Sequence, residues 1–304
     1  MYSFSTCWNS ARHTDGCAML REIRDLGFDY AELSHGIRIS LLPGIFEAVK
    51  AGEIKISSLH NFCPLPVGVD KASPNLYEFS SDRERDRQLA VKHTLNTLEF
   101  AQRVGAPLVV LHFGSMDLKD YTGKLKGLLE RGERGSLKFQ KLVAEANVAR
   151  EAKKKIFYDH SRETLRHLLT EAKFRGLKLG IEIREAVEEL PVESDFKSLL
   201  EEFPAPHVYY WHDVGHAQIK ADLGFIRHSE HLALLAGRLA GFHIHDVKFP
   251  ARDHFPPGGG DIDFAALKPF VKPEHIKVFE LSPKVPTESV QRGVAHLKRI
   301  WGEE

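Results

Sequence analysis

The chain has 304 residues, 42 Lys+Arg against 42 Asp+Glu, 42% hydrophobic residues, 23 Gly and 15 Pro. Those proportions exclude disordered, collagen-like and fibrous chains, and they supply ample apolar material for a large core. A formal charge of zero also argues against a nucleic-acid partner, because a protein that grips phosphodiester backbone usually carries a net basic surface.

No run approaches the roughly 20 apolar residues that span a bilayer, and residues 1–15 lack the basic end and apolar centre of a signal peptide. A cytoplasmic protein without a membrane partner is expected. Cys7, Cys17 and Cys63 are an odd number without CxxC spacing, so reduced, mostly buried thiols are expected rather than a disulfide framework.

Short runs rich in β-branched and aromatic residues recur, and most lead into a helix-like segment closing on glycine. The first, Tyr2–Thr6, precedes Cys17–Leu26, where Met19, Leu20, Ile23 and Leu26 keep helical spacing up to Gly27. Runs at Tyr30–Leu33 and Ile56–Phe62 follow, then a helix over Arg85–Val104 whose Leu89, Leu95, Leu98, Ala101 and Val104 form an apolar stripe ending at Gly105. After the fourth run, Leu108–Phe113, the charged stretch Asp117–Asp159 carries Lys124, Lys126, Arg131, Arg134 and Lys153–Lys155 and reads as an exposed, amphipathic helical insertion. Ser161 is placed to cap a helix over Arg162–Arg175 that stops at Gly176. The remaining runs are Lys178–Arg184, Val208–Asp213, Gly241–Asp246 and Lys277–Leu281. Eight strands alternating with helices predict parallel pairing through right-handed crossovers. The fold expected is α/β, a single (β/α)8 TIM barrel over residues 1–304 with an insertion at 117–159 after the fourth strand.

In such a barrel the chemistry gathers at the C-terminal ends of the strands. Side chains two apart share a face. With Ile181 and Ile183 facing outward, Glu182 turns in; Phe242 and Ile244 leave His243 and His245 inside; Phe279 and Leu281 leave Glu280 inside. Asp213 ends the sixth run. Several acids and histidines at one mouth would repel or stand unpaired without a cation among them. Glu182, Asp213, His243 and Glu280 are therefore a candidate ligand set for a divalent metal ion, manganese, magnesium or cobalt by oxygen content, with zinc also suited.

Five pieces in order then carry a resemblance: Ile181-Glu182, Asp213-Val214-Gly215-His216, His243-Ile244-His245-Asp246, the run from His254 through Pro256-Pro257-Gly258-Gly259-Gly260 to Asp263, and Phe279-Glu280. The chain resembles the xylose-isomerase-like TIM barrels, which include sugar isomerases and epimerases and the metal-dependent apurinic-site endonucleases. The resemblance implies a metal on Glu182, Asp213, His243 and Glu280, with Glu182 and Glu280 also exchanging a substrate proton through an enediolate, a step that a cation favours. His216 matches a position beside the metal that contacts substrate or a further metal, and His254 lies near the mouth. The expected substrate is a small sugar or sugar-like hydroxy-ketone.

The endonuclease branch is the alternative. His60, His112, His216, His243 and His254 fall where it places ligands, but Arg252 stands where its pattern has aspartate, with Asp253 adjacent. A non-catalytic sugar-binding barrel is the third reading. On the isomerase reading His60, His112, His216 and His254 bind substrate, Glu32 and Lys248 hydrogen-bond its hydroxyls or an anionic group, and Trp8 and Phe62 stack on a sugar. Pairing into a homodimer, common among such relatives, is left open.

Overall fold

The computed structural model describes residues 1–302. Its strands are β1 (Tyr2–Ser5), β2 (Tyr30–Leu33), β3 (Lys55–His60), β4 (Leu108–Leu111), β5 (Lys178–Glu182), β6 (Val208–Asp213), β7 (Leu239–Ile244), β8 (Asp246–Lys248), β9 (Arg252–Phe255) and β10 (Ile276–Phe279). All but β8 and β9 close into a barrel of parallel neighbours in the order β1-β10-β7-β6-β5-β4-β3-β2, the TIM barrel expected. Strands β8 and β9 form an antiparallel hairpin over the mouth.

The helices are α1 (Gly16–Asp25), α2 (Leu42–Lys50), α3 (Glu84–Val104), α4 (Tyr121–Glu130), α5 (Leu137–Phe174), α6 (Phe196–Glu202), α7 (Val214–Asp222), α8 (His228–Leu235), α9 (Phe264–Leu267) and α10 (Thr287–Trp301). Local chemistry sets their ends. Asp15 caps α1 by accepting from Cys17 N and Ala18 N, and α3 stops where Gly105 turns left-handed at φ 70°. No helix among the described residues is long and apolar enough to cross a membrane, and the three cysteines are free.

Alternation along the strands sorts the core as expected. Ile181, Ile183, Phe242, Ile244, Phe279 and Leu281 pack in the shell shared with the helices. Inside the barrel, Leu108, Val110, Trp211, Ile276 and Val278 form a separate apolar plug. Trp211 fits because its neighbours lack side chains: a Cβ on Gly241 would stand 2.6 Å from the indole, and one on Gly180 3.3 Å. The plug fills the lower barrel, so inward-facing polar groups lie above it, toward the mouth.

The insertion corrects one expectation. Ser161 does not cap a helix: α5 runs unbroken for 38 residues, capped by Ser136, whose Oγ accepts from Phe139 N. Nothing between 137 and 174 breaks a helix, so the charged stretch and the helix of the fourth unit fuse, and buried Ser161 instead donates from Oγ to Phe113 O at 2.5 Å. The rest of the insertion is α4, and both helices are tied to the loop that follows β5. Glu188 accepts from Tyr121 N, Thr122 N and Thr122 Oγ1 at 2.7, 3.1 and 2.6 Å. Lys126 pairs with Glu185 at 3.0 Å and Lys154 with Asp195 at 2.8 Å.

The deepest tie is Arg150–Glu193–Lys220. Glu193 meets Arg150 Nη2 at 2.5 Å and Lys220 Nζ on its other oxygen, with Arg150 and Lys220 side chains only 3% and 1% exposed. Burial opposes the charge on Glu193, but the two cations outweigh it and hold its pKa at about 2, below the ordinary 4.5. A carboxylate depressed in the fold stabilises it above its unfolded pKa and loses that contribution as pH falls toward the folded value. Between about pH 4.5 and 2 this group alone should therefore withdraw on the order of 3 kcal/mol. Urea unfolding across that range checks this: Glu193→Gln should be less stable at pH 7 and show a flatter acid limb, and an unchanged limb would refute the assignment.

Candidate metal centre

The four predicted ligands converge. Ligand atoms of Glu182, Asp213, His243 and Glu280 all lie within 4.8 Å of one another, and all four residues are buried. His243, at the centre, places Nδ1 3.0 Å from Glu182 Oε1, 3.3 Å from Glu280 Oε2 and 3.9 Å from Asp213 Oδ2. Burial opposes protonation of this imidazole, but Glu280, Glu32 and Glu182 raise its pKa well above the ordinary histidine value. The same carboxylates would draw a metal ion.

Glu32, expected to meet substrate, is fully buried behind this group. Its oxygens take hydrogen bonds from Ser5 Oγ at 3.2 Å and Ser58 Oγ at 2.8 Å and lie 3.1 Å from His243 Nε2. A carboxylate on the far nitrogen fixes the ring and leaves Nδ1 facing the other acids, the usual support for a metal-binding histidine. Three carboxylates and one imidazole so arranged fit a divalent ion.

Asp213 ends β6 and begins α7: its Oδ1 accepts from His216 N at 2.7 Å, capping the helix. Its carboxylate is also met by His245 Nε2 at 3.0 Å. Gly215 makes that contact sterically feasible, because a Cβ there would lie 2.0 Å from the His245 ring. The glycine of the Asp213–His216 motif is thus a clearance for a second histidine.

His60 and His112 approach the opposite oxygen of Glu182. Their Nε2 atoms lie 3.3 and 2.8 Å from Oε2. His60 Nδ1 is 2.9 Å from the Asn61 carbonyl and His112 Nδ1 2.6 Å from Asn75 Oδ1, both acceptors, so each Nδ1 carries a proton; burial opposes a second proton on His60, but Glu182 and Glu280 raise its pKa. His112 Nε2 and Glu182 Oε2 have no hydrogen-bond partner. Buried acceptors left facing one another cost free energy unless a proton or cation joins them. Burial and then Arg184 push His112 down to about 4. Glu182 is disfavoured as an anion by burial, yet Arg184, His243 and His112 carry its pKa well below the ordinary value. Glu280 is lowered in the same way by His243, His254 and His60 against burial.

The other predicted residues divide. His216 Nδ1 lies 3.2 Å from Asp213 Oδ2 and 3.6 Å from Glu182 Oε1, so it joins the group. His254, on β9, stacks on His245 at 4.3 Å and pairs with Asp253 at 3.1 Å. Burial opposes its charge, but Asp253 and Glu280 raise its pKa to about 9. Arg252 beside it is exposed. Lys248 sits on the hairpin with Nζ 4.7 Å from the Phe255 ring. Trp8 and Phe62, expected to stack on a sugar, are each 2% exposed and packed in the main core. The Pro-Gly run is a turn: Asp246 Oδ2 accepts from Gly258 N and Gly260 N, both at 2.9 Å, and Oδ1 from Ile262 N at 3.1 Å.

Three participants were not anticipated. Arg184 places Nη1 3.4 Å from Glu182 Oε2 and 3.1 Å from His216 Nδ1, with Nε 3.1 Å from Glu189 Oε1. Asn75, reaching in from the loop between β3 and α3, bridges His112 and Glu189. Arg184 was accessible to the alternation argument, two residues past Glu182; Asn75 and Glu189 lie in loops with no periodicity to mark them.

A family model described as xylose isomerase-like TIM barrel matches residues 20–300. Among solved structures, a D-tagatose 3-epimerase-like protein superposes with TM-score 0.68 at 17% identity, covering 99% of this chain and 97% of that one. A 3-keto-D-glucoside 4-epimerase from E. coli gives 0.67 at 16%, covering 98% of both chains. A xylose isomerase domain protein from Planctomyces limnophilus gives 0.65 at 14%, covering 99% of this chain and 95% of that one. A search of the curated proteins finds no match. At these identities the structural likenesses establish the fold.

Proposed function

Since the chain belongs to the xylose isomerase-like TIM barrel family, we propose that it is a divalent-metal-dependent isomerase or epimerase of a sugar or sugar-like hydroxy-ketone. The carrying observation is the convergence of Glu182, Asp213, His243 and Glu280 within 4.8 Å, with His243 held from behind by Glu32. A manganese, magnesium, cobalt or zinc ion on those four residues would polarise the substrate's oxygens and acidify the carbon between them. Glu182 and Glu280 then take a proton from that carbon and return one, to the other face in an epimerase or the neighbouring carbon in an isomerase. Surrounding cations lower the pKa of both, so either can act as the base; an isomerase returns the proton from the same carboxylate, and an epimerase requires the opposite glutamate to have taken up a proton from solvent first. His60, His112, His216 and His254 line the space beside these glutamates as substrate contacts, and Asn75 holds His112 in orientation. Neighbours named D-tagatose 3-epimerase-like protein and 3-keto-D-glucoside 4-epimerase support this substrate class.

The test is solvent exchange. With manganese in D2O, the protein should place deuterium at the carbon next to the carbonyl of a ketose from a panel. Glu280→Gln should keep the metal and lose about 10²–10⁴-fold in exchange, the range for a positioned acid/base. Full exchange by that variant removes Glu280 from the proton transfer, and no exchange into any ketose or keto acid favours a binding barrel. One observation favours the nuclease reading: His60 and His112 place Nε2 atoms 3.3 and 2.8 Å from Glu182 Oε2, a donor set for an additional ion. Three zinc ions per chain together with cleavage of abasic DNA would replace the isomerase by that reading.

A further inference from the structure

Besides its four central ligands, the mouth holds a second group able to bind a cation: Asp213, His216 and His245, all buried and with ligand atoms within 4.8 Å of one another. Asp213 already belongs to the first group, so an ion here would share its carboxylate. Arg184 stands at this group. Its side chain is 12% exposed, its Nε is held by Glu189 Oε1 at 3.1 Å, and its Nη1 lies 3.1 Å from His216 Nδ1.

We propose that Arg184 closes the Asp213–His216–His245 group to a second metal ion. The proposal rests on the metal-dependent reading above. Nδ1 of His216 also lies 3.2 Å from the Ile183 carbonyl and 3.2 Å from Asp213 Oδ2, contacts that a protonated Nδ1 would suit. The guanidinium has five donors, no acceptor and no accessible deprotonation, so it brings a permanent positive charge to 3.1 Å from Nδ1. A cation at that nitrogen would have to sit against this charge. Glu189 keeps the guanidinium from swinging away, and Asn75 Nδ2, 3.1 Å from the same Glu189 oxygen, braces that carboxylate.

The experiment counts ions in the intact protein loaded with excess zinc and then desalted, by elemental analysis. Arg184→Met, which keeps the apolar stem and removes the donors, should carry one more zinc per chain than the wild type, and adding His216→Ala should remove that extra ion. Equal counts in wild type and Arg184→Met would overturn the proposal while leaving the metal-dependent reading intact. A wild type that binds no zinc would instead overturn that reading, and this inference with it. Should Arg184→Met fail to fold, His216→Ala alone decides: an unchanged zinc count and affinity supports the exclusion, whereas loss of an ion shows that His216 was a ligand all along.

Discussion

Glu182→Gln should lower turnover by about a thousandfold or more and weaken binding of the divalent ion by about a hundredfold, the largest functional effect expected of any single change here. Glu182 is fully buried, and five cationic or imidazole groups reach its two oxygens: His243 at 3.0 Å, His112 at 2.8 Å, His60 at 3.3 Å, Arg184 at 3.4 Å and His216 at 3.6 Å. Glutamine has the same shape, so packing survives while the charge is lost. One oxygen leaves the ligand set, a base disappears from the proton transfer, and buried Arg184 keeps only Glu189. Isothermal titration with manganese and the exchange assay separate these effects. A variant with wild-type affinity and turnover would show that Glu182 is not the hub of the site.

The second large effect concerns the floor beneath that hub. Trp211→Ala should destabilise the protein by about 3–5 kcal/mol, the range for truncating a buried aromatic residue, which at this chain length lowers Tm by roughly 5–8 °C. The indole is fully buried in the barrel plug, 5.1 Å from the His243 ring, in space left by Gly180 and Gly241. Removing it opens a cavity directly under the imidazole proposed to hold the metal, so affinity for the ion should fall along with stability. Trp211→Phe should lose less, because a ring still fills the site and the indole N–H, which has no hydrogen-bond partner, disappears. Thermal unfolding reads both, and a change below about 1 kcal/mol in the alanine variant would mean that the barrel closes over the gap.

Much of the centre was legible in the residues. A strand has period two and its outward face must be apolar against helices, so Ile181 and Ile183 alone suffice to turn Glu182 inward, and Phe242 and Ile244 do the same for His243. Alternation reports which face a side chain occupies but not its depth along the barrel axis. Alternation therefore points to Glu32 as a substrate contact, although it lies behind His243, where Ser5 and Ser58 hold it. Asn75 and Glu189 reach the centre through loops whose paths are set by tertiary contacts. Ser161 misled for a related reason: a serine before a helical pattern is a cap only if the helix begins there, and the residues ahead of it are themselves good helix formers.

The ties between the insertion and the loop after β5 bear on how this chain can vary. Glu185, Glu188, Glu193 and Asp195 are each answered by a group from 121–154. If the inserted helices were excised, one short segment adjoining the strand that carries Glu182 would retain four acids stripped of those partners, and the barrel wall would carry a local negative excess. The two segments are therefore constrained to be gained, lost or recharged together in descent, despite being far apart in the gene, and a shortened homologue should show its missing helices first as missing acids beyond the fifth strand.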